Sequence, residues 1–155
     1  MVLYLTHFNN FTYEENKRWR EINNIITIYN SPIQLPSNIN SQSKIYVIEM
    51  NNSTNQIEGV GIIKCKQRLD KKYKIYSEQN YNRYTYIGNK RIDRDSFDEE
   101  TLKNLEYRLF IGKSDLKPTI RRGTHLKRGQ GIKKVPQDIE FDYFNYIQTI
   151  FSFQE

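Results

Sequence analysis

The clearest structural signal in this chain is the run KIYVIEMNNSTNQIEGVGIIKCK at residues 44–66. Two stretches of apolar, largely β-branched residues flank the polar segment NNSTNQ, which is the pattern of a β-hairpin. The second strand carries Gly59 and Gly61 where side chains normally project. Because glycine weakens a strand, the pair predicts that a backbone, a base or a ligand comes close to this strand.

The segments before the hairpin indicate a strand, a helix and a second strand. The runs VLYLTHF at 2–8 and IITIY at 25–29 are rich in β-prone residues. Between them, a capping box that begins at Thr12 predicts a helix running to about Asn24.

The segments after the hairpin add further strands and two helices. KYKIYS at 72–77 and YNRYTYI at 81–87 are β-prone. A second capping box begins at Ser96, and helical spacing returns at 138–151. The chain contains no repeat and no low-complexity linker. We therefore expect a single domain over residues 1–155 with an α+β fold, a curled sheet or small barrel of about six strands with flanking helices.

Composition excludes several classes of protein. No apolar run approaches the roughly 18 residues of a membrane span, and the amino terminus lacks a signal-peptide pattern. The single cysteine, Cys65, fits a reducing compartment, so we expect a cytoplasmic or nuclear protein. With His7 and His125 as the two histidines, no metal-ligand cluster of recognised spacing can be written. IGKS at 111–114 lacks the earlier glycine of a nucleotide-binding loop, because Tyr107 stands there, so no cofactor is predicted.

Positive charge is concentrated in the middle of the chain. The net charge is +6, yet residues 64–134 hold 20 Lys/Arg against 9 Asp/Glu, whereas residues 1–63 hold 4 against 5 and residues 135–155 hold 0 against 4. A basic middle between near-neutral and acidic ends is expected of a surface that binds a polyanion. Solvated lysines on ordinary strands would give the same count, and that alternative stays open.

Residues 113–134, KSDLKPTIRRGTHLKRGQGIKK, are the strongest candidate for phosphate contacts. They hold eight basic residues and one acid, Asp115. Glycines beside Arg128 and Gln130 let backbone amides approach an anion, although a flexible basic loop is the alternative. The residues predicted to contact phosphate are Arg83, Arg91, Arg121, Arg122, Lys127, Arg128, Gly129 and Gln130.

Aromatic residues interleave with the cations. Five tyrosines between positions 73 and 86 lie among lysines and arginines, and aromatic faces stack on bases at about 1–3 kcal/mol each. Trp19, the one tryptophan, is expected either in the core or as one wall of an aromatic cage. The aromatic residues predicted to form a base pocket are Trp19, Tyr81, Tyr84 and Tyr86, and packing of the tyrosines on one face of a sheet is the alternative.

VIEMNNS at 47–53 followed by IEGVGII at 57–63 resembles the central hairpin of YTH domains. There, a strand ending in Ser-Val-Asn, a serine-bearing turn and an aromatic-x-Gly-x-Ala-x-Met strand stand in the same order. The pattern is also similar to strands of EVE and ASCH domains, and so of the wider PUA-like fold. The resemblance implies a small β-barrel with helices that reads a modified or flipped base in an aromatic cage beside a basic groove. It adds Asn51 and Ser53, which match the polar hairpin residues, to the predicted base pocket.

Three functions are compatible with these residues. The first is a non-enzymatic module that binds RNA or single-stranded DNA and reads a modified base. The second is an ASCH-like amidohydrolase acting on modified nucleosides, for which Glu49 and Lys64 are the residues to test, although no spacing identifies a catalytic site. The third is a protein-interaction module with a basic face. The absence of alanine and the abundance of Asn, Ile, Lys and Tyr are typical of an AT-rich genome, such as a viral one. The sequence does not indicate an oligomeric state.

Overall fold

The computed structural model describes residues 2–36, 43–111 and 131–154. Within these ranges the chain forms seven strands and three helices. The strands are β1 (Leu3–Phe8), β2 (Thr27–Ser31), β3 (Lys44–Asn51), β4 (Gln56–Lys64), β5 (Tyr84–Gly88), β6 (Lys90–Asp93) and β7 (Lys133–Lys134). The helices are α1 (Asn10–Asn23), α2 (Glu99–Ile111) and α3 (Gln137–Phe153).

The strands form two sheets. The larger sheet has the order β6-β4-β3-β1-β7, in which β1 and β3 are parallel and the other neighbours are antiparallel. The smaller sheet pairs β2 with β5 in antiparallel fashion and packs on β4. The predicted α+β class is confirmed. Within the described ranges, however, the two sheets remain separate and do not close into the predicted barrel.

Side chains alternate across the hairpin, so each face of the large sheet has its own core. Ile48 and Met50 of β3 pack with residues of α2 and α3 on one face. Ile45 and Val47, one position out of phase, pack with the small sheet and with part of α1 on the other face. This is the period of two that a strand buried on both faces requires. The predicted hairpin is therefore the central layer of the fold.

Gly59 and Gly61 lie on the face of β4 that meets the small sheet. A Cβ at Gly59 would lie 2.6 Å from the carbonyl oxygen of Ile92 and 2.7 Å from Nη2 of Arg91. A Cβ at Gly61 would overlap the hydroxyl of Tyr29. The close approach predicted for these glycines is present. The groups that approach are the Ile92 main chain and the side chain of Arg91 at Gly59, and the Tyr29 side chain at Gly61.

A buried ion pair fills the space that the glycines leave. The side chains of Glu49 and Arg91 are 1% and 8% exposed, and two bonds of 2.6 and 2.9 Å join their carboxylate and guanidinium. The Tyr29 hydroxyl donates to the same carboxylate at 2.5 Å. Arg91 also donates to the Tyr13 hydroxyl at 3.1 Å and to Asp93 at 2.5 Å. Because Glu49 lies on β3, Arg91 on β6 and Tyr29 on β2, this cluster joins the two sheets.

KYKIYS at 72–77 does not form the predicted strand. Amide side chains, not a neighbouring strand, satisfy its backbone: Asn30 Nδ2 donates to the Tyr73 carbonyl at 2.8 Å, and Asn82 both accepts from and donates to the Tyr76 backbone, at 3.1 and 2.7 Å. Tyr73 and Tyr76 are buried. Their β-prone side chains therefore fill the core beside the small sheet while the main chain stays irregular.

The helices begin a few residues away from the predicted capping boxes. Asn9 caps α1 and exchanges hydrogen bonds of 2.8 and 2.9 Å with Thr12, so the box is present but starts three residues earlier. In α2, Asp98 and not Ser96 accepts from the first turn, through the Thr101 N–H at 2.9 Å. The predicted carboxyl-terminal helix is confirmed as α3. No helix in the described part of the chain is long and apolar enough to cross a membrane.

Replacing Arg91 tests the role of the buried ion pair. The Arg91→Met variant removes the cation that bonds the buried Glu49 carboxylate, and the loss of one partner of a buried pair costs about 3–5 kcal/mol of unfolding free energy. Urea denaturation followed by circular dichroism measures this loss. The control is Arg83→Met, because Arg83 is exposed and should change stability by less than about 0.5 kcal/mol. Equal stabilities of the two variants would contradict the assignment.

Candidate nucleic-acid interface

A groove of about 930 Å³ opens beside the open end of the hairpin. The cations that line it are exposed: Lys44, Lys64, Lys66, Arg68 and Lys90. Among the described residues that line this groove, Asp70 is the one acid. We call this surface the basic groove. Its charge is of the sign and density expected for a surface that follows a phosphate backbone.

Strand register and a glycine bring these cations together. Lys44 and Lys64 lie directly opposite each other at the end of the β3–β4 pair. Like charges opposite each other destabilise a hairpin, which favours a functional reason for them. Lys90 pairs with Ile62, and a Cβ at Gly88 would overlap the Ile62 carbonyl. Because Gly88 has no side chain, the β5–β6 turn approaches β4 closely and carries Lys90 to the groove.

Apolar side chains line the basic groove between the cations. Tyr46 and Ile87 are partly buried there, and Leu69 is 81% exposed. The Tyr46 ring packs edge-on against Phe144 and Phe151 of α3, with centroids 5.1 and 5.3 Å apart. A base or a ribose can therefore rest on apolar surface while its phosphates meet the lysines.

Arg68 lies at the rim of the basic groove in an organised cluster. Its Nε and Nη2 donate to the two oxygens of Asp70 at 3.2 Å each, and the Tyr73 hydroxyl donates to the same oxygens at 3.0 and 2.9 Å. The guanidinium carbon lies 5.9 Å from the Tyr73 ring centroid, and Lys71 Nζ lies 5.1 Å from it. Hydrogen bonds from Tyr73 and Arg68 lower the pKa of Asp70, so this carboxylate is charged at neutral pH. On its other side, Tyr73 contacts Trp19 edge to face at 6.4 Å.

The two described residues that were predicted to contact phosphate, Arg83 and Arg91, do not line the basic groove. Arg83 is exposed and lies over the Tyr84 ring at 5.5 Å. Arg91 is in the buried ion pair with Glu49, whose hydrogen bond and charge outweigh the effect of burial and raise the arginine pKa. Its guanidinium therefore bonds groups of the protein interior. The remaining predicted contacts lie outside the described residues: Arg121, Arg122, Lys127, Arg128, Gly129 and Gln130.

The four predicted cage aromatics meet in one hydrophobic cluster. Tyr86 lies within it, 1% exposed, and its hydroxyl accepts from the Leu35 N–H at 2.9 Å. Tyr81, Tyr84 and Trp19 pack against the cluster and are partly buried. Within the described part of the chain, the buried indole N–H of Trp19 has no hydrogen-bond partner. Among these four, Trp19 thus retains an unused polar atom, whereas Tyr86 has a structural role.

Asn51 and Ser53 hold the hairpin turn to the start of α1. Asn51 Nδ2 donates to Asn10 Oδ1 at 2.9 Å and to Glu58 at 2.8 Å, and Ser53 Oγ accepts from the Asn10 N–H at 2.9 Å. Trp19 lies nine residues farther along the helix, a rise of about 13 Å. The structure therefore separates these two polar residues from the aromatic ones predicted for the same pocket.

The residues considered for catalysis are also far apart. Glu49 pairs with Gly59 in the sheet, and Lys64 lies five residues farther along β4, a separation of about 17 Å. The Glu49 carboxylate accepts hydrogen bonds from Arg91 and Tyr29, which leaves it little capacity to act as a base.

Sequence reasoning identified the basic middle of the chain but not the groove. The predicted contacts did not include the four lysines of the groove, because these are far apart in sequence. They lie on three strands and just after β4: Lys44, Lys64, Lys66 and Lys90. Two signals pointed to them. One is the lysine at each end of the hairpin run, and the other is the Gly88-Asn89 turn that leads into Lys90.

Comparisons with known proteins find likenesses in three-dimensional structure. No family model matches the chain, and no curated protein matches it in sequence. Among solved structures, it is similar to the Pho92 YTH domain in complex with m6A, at 14% identity and a TM-score of 0.44, covering 99% of this chain and 91% of that one. It is also similar to the YTH domain of Zygosaccharomyces rouxii MRB1 in complex with N6-methyladenosine RNA, at 14% identity and a TM-score of 0.46, covering 94% and 86%. Likeness at this level leaves the function to be argued from the chain's own residues.

Two buried tyrosines, Tyr29 and Tyr76, should make the fold sensitive to alkali. Burial and then the charge of Glu49 raise the pKa of Tyr29 well above its usual 10.0, and burial raises that of Tyr76. A raised folded-state pKa adds stability below the ordinary pKa, and this stability is lost as pH rises through the folded value. We therefore expect urea midpoints to fall above about pH 10.

The Tyr29→Phe variant is the matched comparison for this pH dependence. It loses one buried hydrogen bond to a carboxylate, worth about 1.5–3 kcal/mol at neutral pH, and its stability should decline less steeply in alkali than that of the parent. Identical slopes in the two proteins would show that Tyr29 does not carry the effect.

Proposed function

We propose that this protein binds nucleic acid in the basic groove. The observation that carries the proposal is the placement of five exposed cations around apolar side chains at the end of the hairpin. Lysine and arginine contribute affinity for phosphates independently of base sequence. The apolar lining gives bases or sugars a surface to contact, which a site for small inorganic anions does not need.

The apolar lining favours an unpaired strand as the ligand. A duplex presents mainly its phosphates to a groove of this kind, whereas bases of a single strand are free to lie on Tyr46 and Leu69. RNA and single-stranded DNA both meet this requirement. The cationic side chains provide the phosphate contacts for either.

We further propose a base position beside Trp19. Its support is the partly buried indole, edge-on to Tyr73, whose N–H has no hydrogen-bond partner among the residues that the structure describes. A methylated base costs little to desolvate and gains contact with aromatic walls. This position is separate from the basic groove but adjacent to it, because Tyr73 also contacts Arg68.

Charge reversal at Lys64 tests the basic groove. The Lys64→Glu variant should bind a single-stranded oligonucleotide about tenfold more weakly at low salt, and its plot of log affinity against log salt should be shallower by about 0.7 or more. Fluorescence anisotropy over a series of salt concentrations measures both. The control is Lys103→Glu, which reverses an exposed charge on α2 outside the groove.

Two outcomes would contradict this function. If the affinity does not change with salt, or if Lys64→Glu and Lys103→Glu lose equal affinity, the basic groove is not the binding surface. Failure of oligonucleotides to bind at all, together with capture of an acidic protein partner that Lys64→Glu abolishes, would favour the protein-interaction alternative.

Trp19 fluorescence tests the base position independently. Since Trp19 is the single tryptophan, its emission reports on this place alone. We expect the uncharged nucleoside N6-methyladenosine to quench it, and adenosine to quench it less. Quenching that requires a charged oligonucleotide and disappears at high salt would instead place the ligand in the basic groove only.

A further inference from the structure

We propose that Arg68 and Tyr73 form a specific phosphate site in the basic groove, and that Asp70 occupies this site in the free protein. The inference rests on the proposed function and deepens it, because it assigns one phosphate to named donors and gives the groove an internal competitor. Among the described residues that line the groove, Asp70 is the one acid, and the others are cationic or neutral.

The geometry around Asp70 is that of an anion site. Three donors converge on its two oxygens: Arg68 Nε and Nη2 at 3.2 Å each, and the Tyr73 hydroxyl at 3.0 and 2.9 Å. Carboxylate and phosphate both fit the guanidinium fork in this bidentate way. The bound carboxylate therefore marks the position that a phosphate of the ligand would take.

The donors are held in place by the fold. Tyr73 is 3% exposed, and its main-chain carbonyl accepts from the buried Asn30. Arg68 donates its main-chain N–H to Thr85 of β5 at 2.8 Å, and its guanidinium lies near the Tyr73 ring. Burial raises the pKa of Tyr73, so its hydroxyl keeps its proton at neutral pH. Contacts other than those with Asp70 therefore help to position both residues.

Asp70 is suited to leaving the site. The side chains of Arg68 and Asp70 are 45% and 51% exposed, and ion pairs this exposed contribute little to stability. A phosphate diester brings the same charge and the same two-oxygen geometry, with neighbouring phosphates that the lysines bind at the same time. Exchange of the carboxylate for the phosphate therefore costs little free energy. Until it occurs, Asp70 lowers the affinity of the groove for weakly charged ligands.

The test neutralises Asp70 without changing its shape. For a single-stranded oligouridylate, the Asp70→Asn variant should bind about threefold to tenfold more tightly at low salt. Its plot of log affinity against log salt should be steeper by about 0.7, because one more phosphate is neutralised by the groove. The control is Glu78→Gln, an exposed carboxylate that does not line the basic groove.

A double-mutant cycle separates competition at Arg68 from general repulsion. In an Arg68→Ala background, Asp70→Asn should raise the affinity by less than about half as much, in free energy, as it does in the parent. The reason is that the arginine donors that Asp70 occupied are gone. An equal gain in both backgrounds would overturn the assignment of the site to Arg68.

The remaining outcomes distinguish this inference from the function it rests on. If the parent protein binds with salt-dependent affinity but Asp70→Asn binds equally or more weakly, the competitor is disproved and the groove stands. If neither the parent nor Asp70→Asn binds any oligonucleotide, both proposals fail together.

Discussion

The fold depends on one desolvated ion pair between Glu49 and Arg91. A carboxylate buried to 1% exposure is tolerated only when its lone pairs are filled, and here a guanidinium fork and the Tyr29 hydroxyl fill them. Filling them requires that strands from two different sheets meet at one point. Gly59 and Gly61 make the meeting possible, since a Cβ at either would collide with the cluster or with the strand beside it.

This constraint separates the cations of the chain into two populations. Three arginines, whose planar guanidinium groups match carboxylates, form ion pairs in the interior or between elements. These pairs are Arg91 with Glu49, Arg94 with Glu106, and Arg108 with Asp138 and Asp142. Among the described lysines, which are strongly hydrated point charges, Lys44, Lys64, Lys66 and Lys90 lie exposed around the basic groove, and others such as Lys103 are exposed elsewhere. Because the paired arginines are held by carboxylates, the charge that the described residues offer a ligand is smaller than their basic surplus.

Asp70 pairs with an arginine, yet it lies among the exposed lysines of the basic groove. It is an exposed acid that binds an arginine as the buried glutamates do, but without their desolvation. The pairing is therefore weak enough to exchange for another anion. Tyr73 bonds Asp70 and also contacts Trp19, so it connects the rim of the groove to the tryptophan. A ligand in the groove and a base beside Trp19 would consequently be neighbours.

Local patterns in the sequence were sufficient for the hairpin, the three described helices and the basic character of the middle of the chain. Such features depend on periodicity, capping and charge, which act between residues close in sequence. The strand predicted at 72–77 is wrong because amide side chains bond its backbone groups: Asn30, 43 residues from Tyr73, and Asn82, six residues from Tyr76. The role of Gly59 and Gly61, the burial of Arg91 and the approach of Lys90 to the end of the hairpin were decided by tertiary structure. Each depends on which strands become neighbours, and that is a property of the packed chain and not of any single segment.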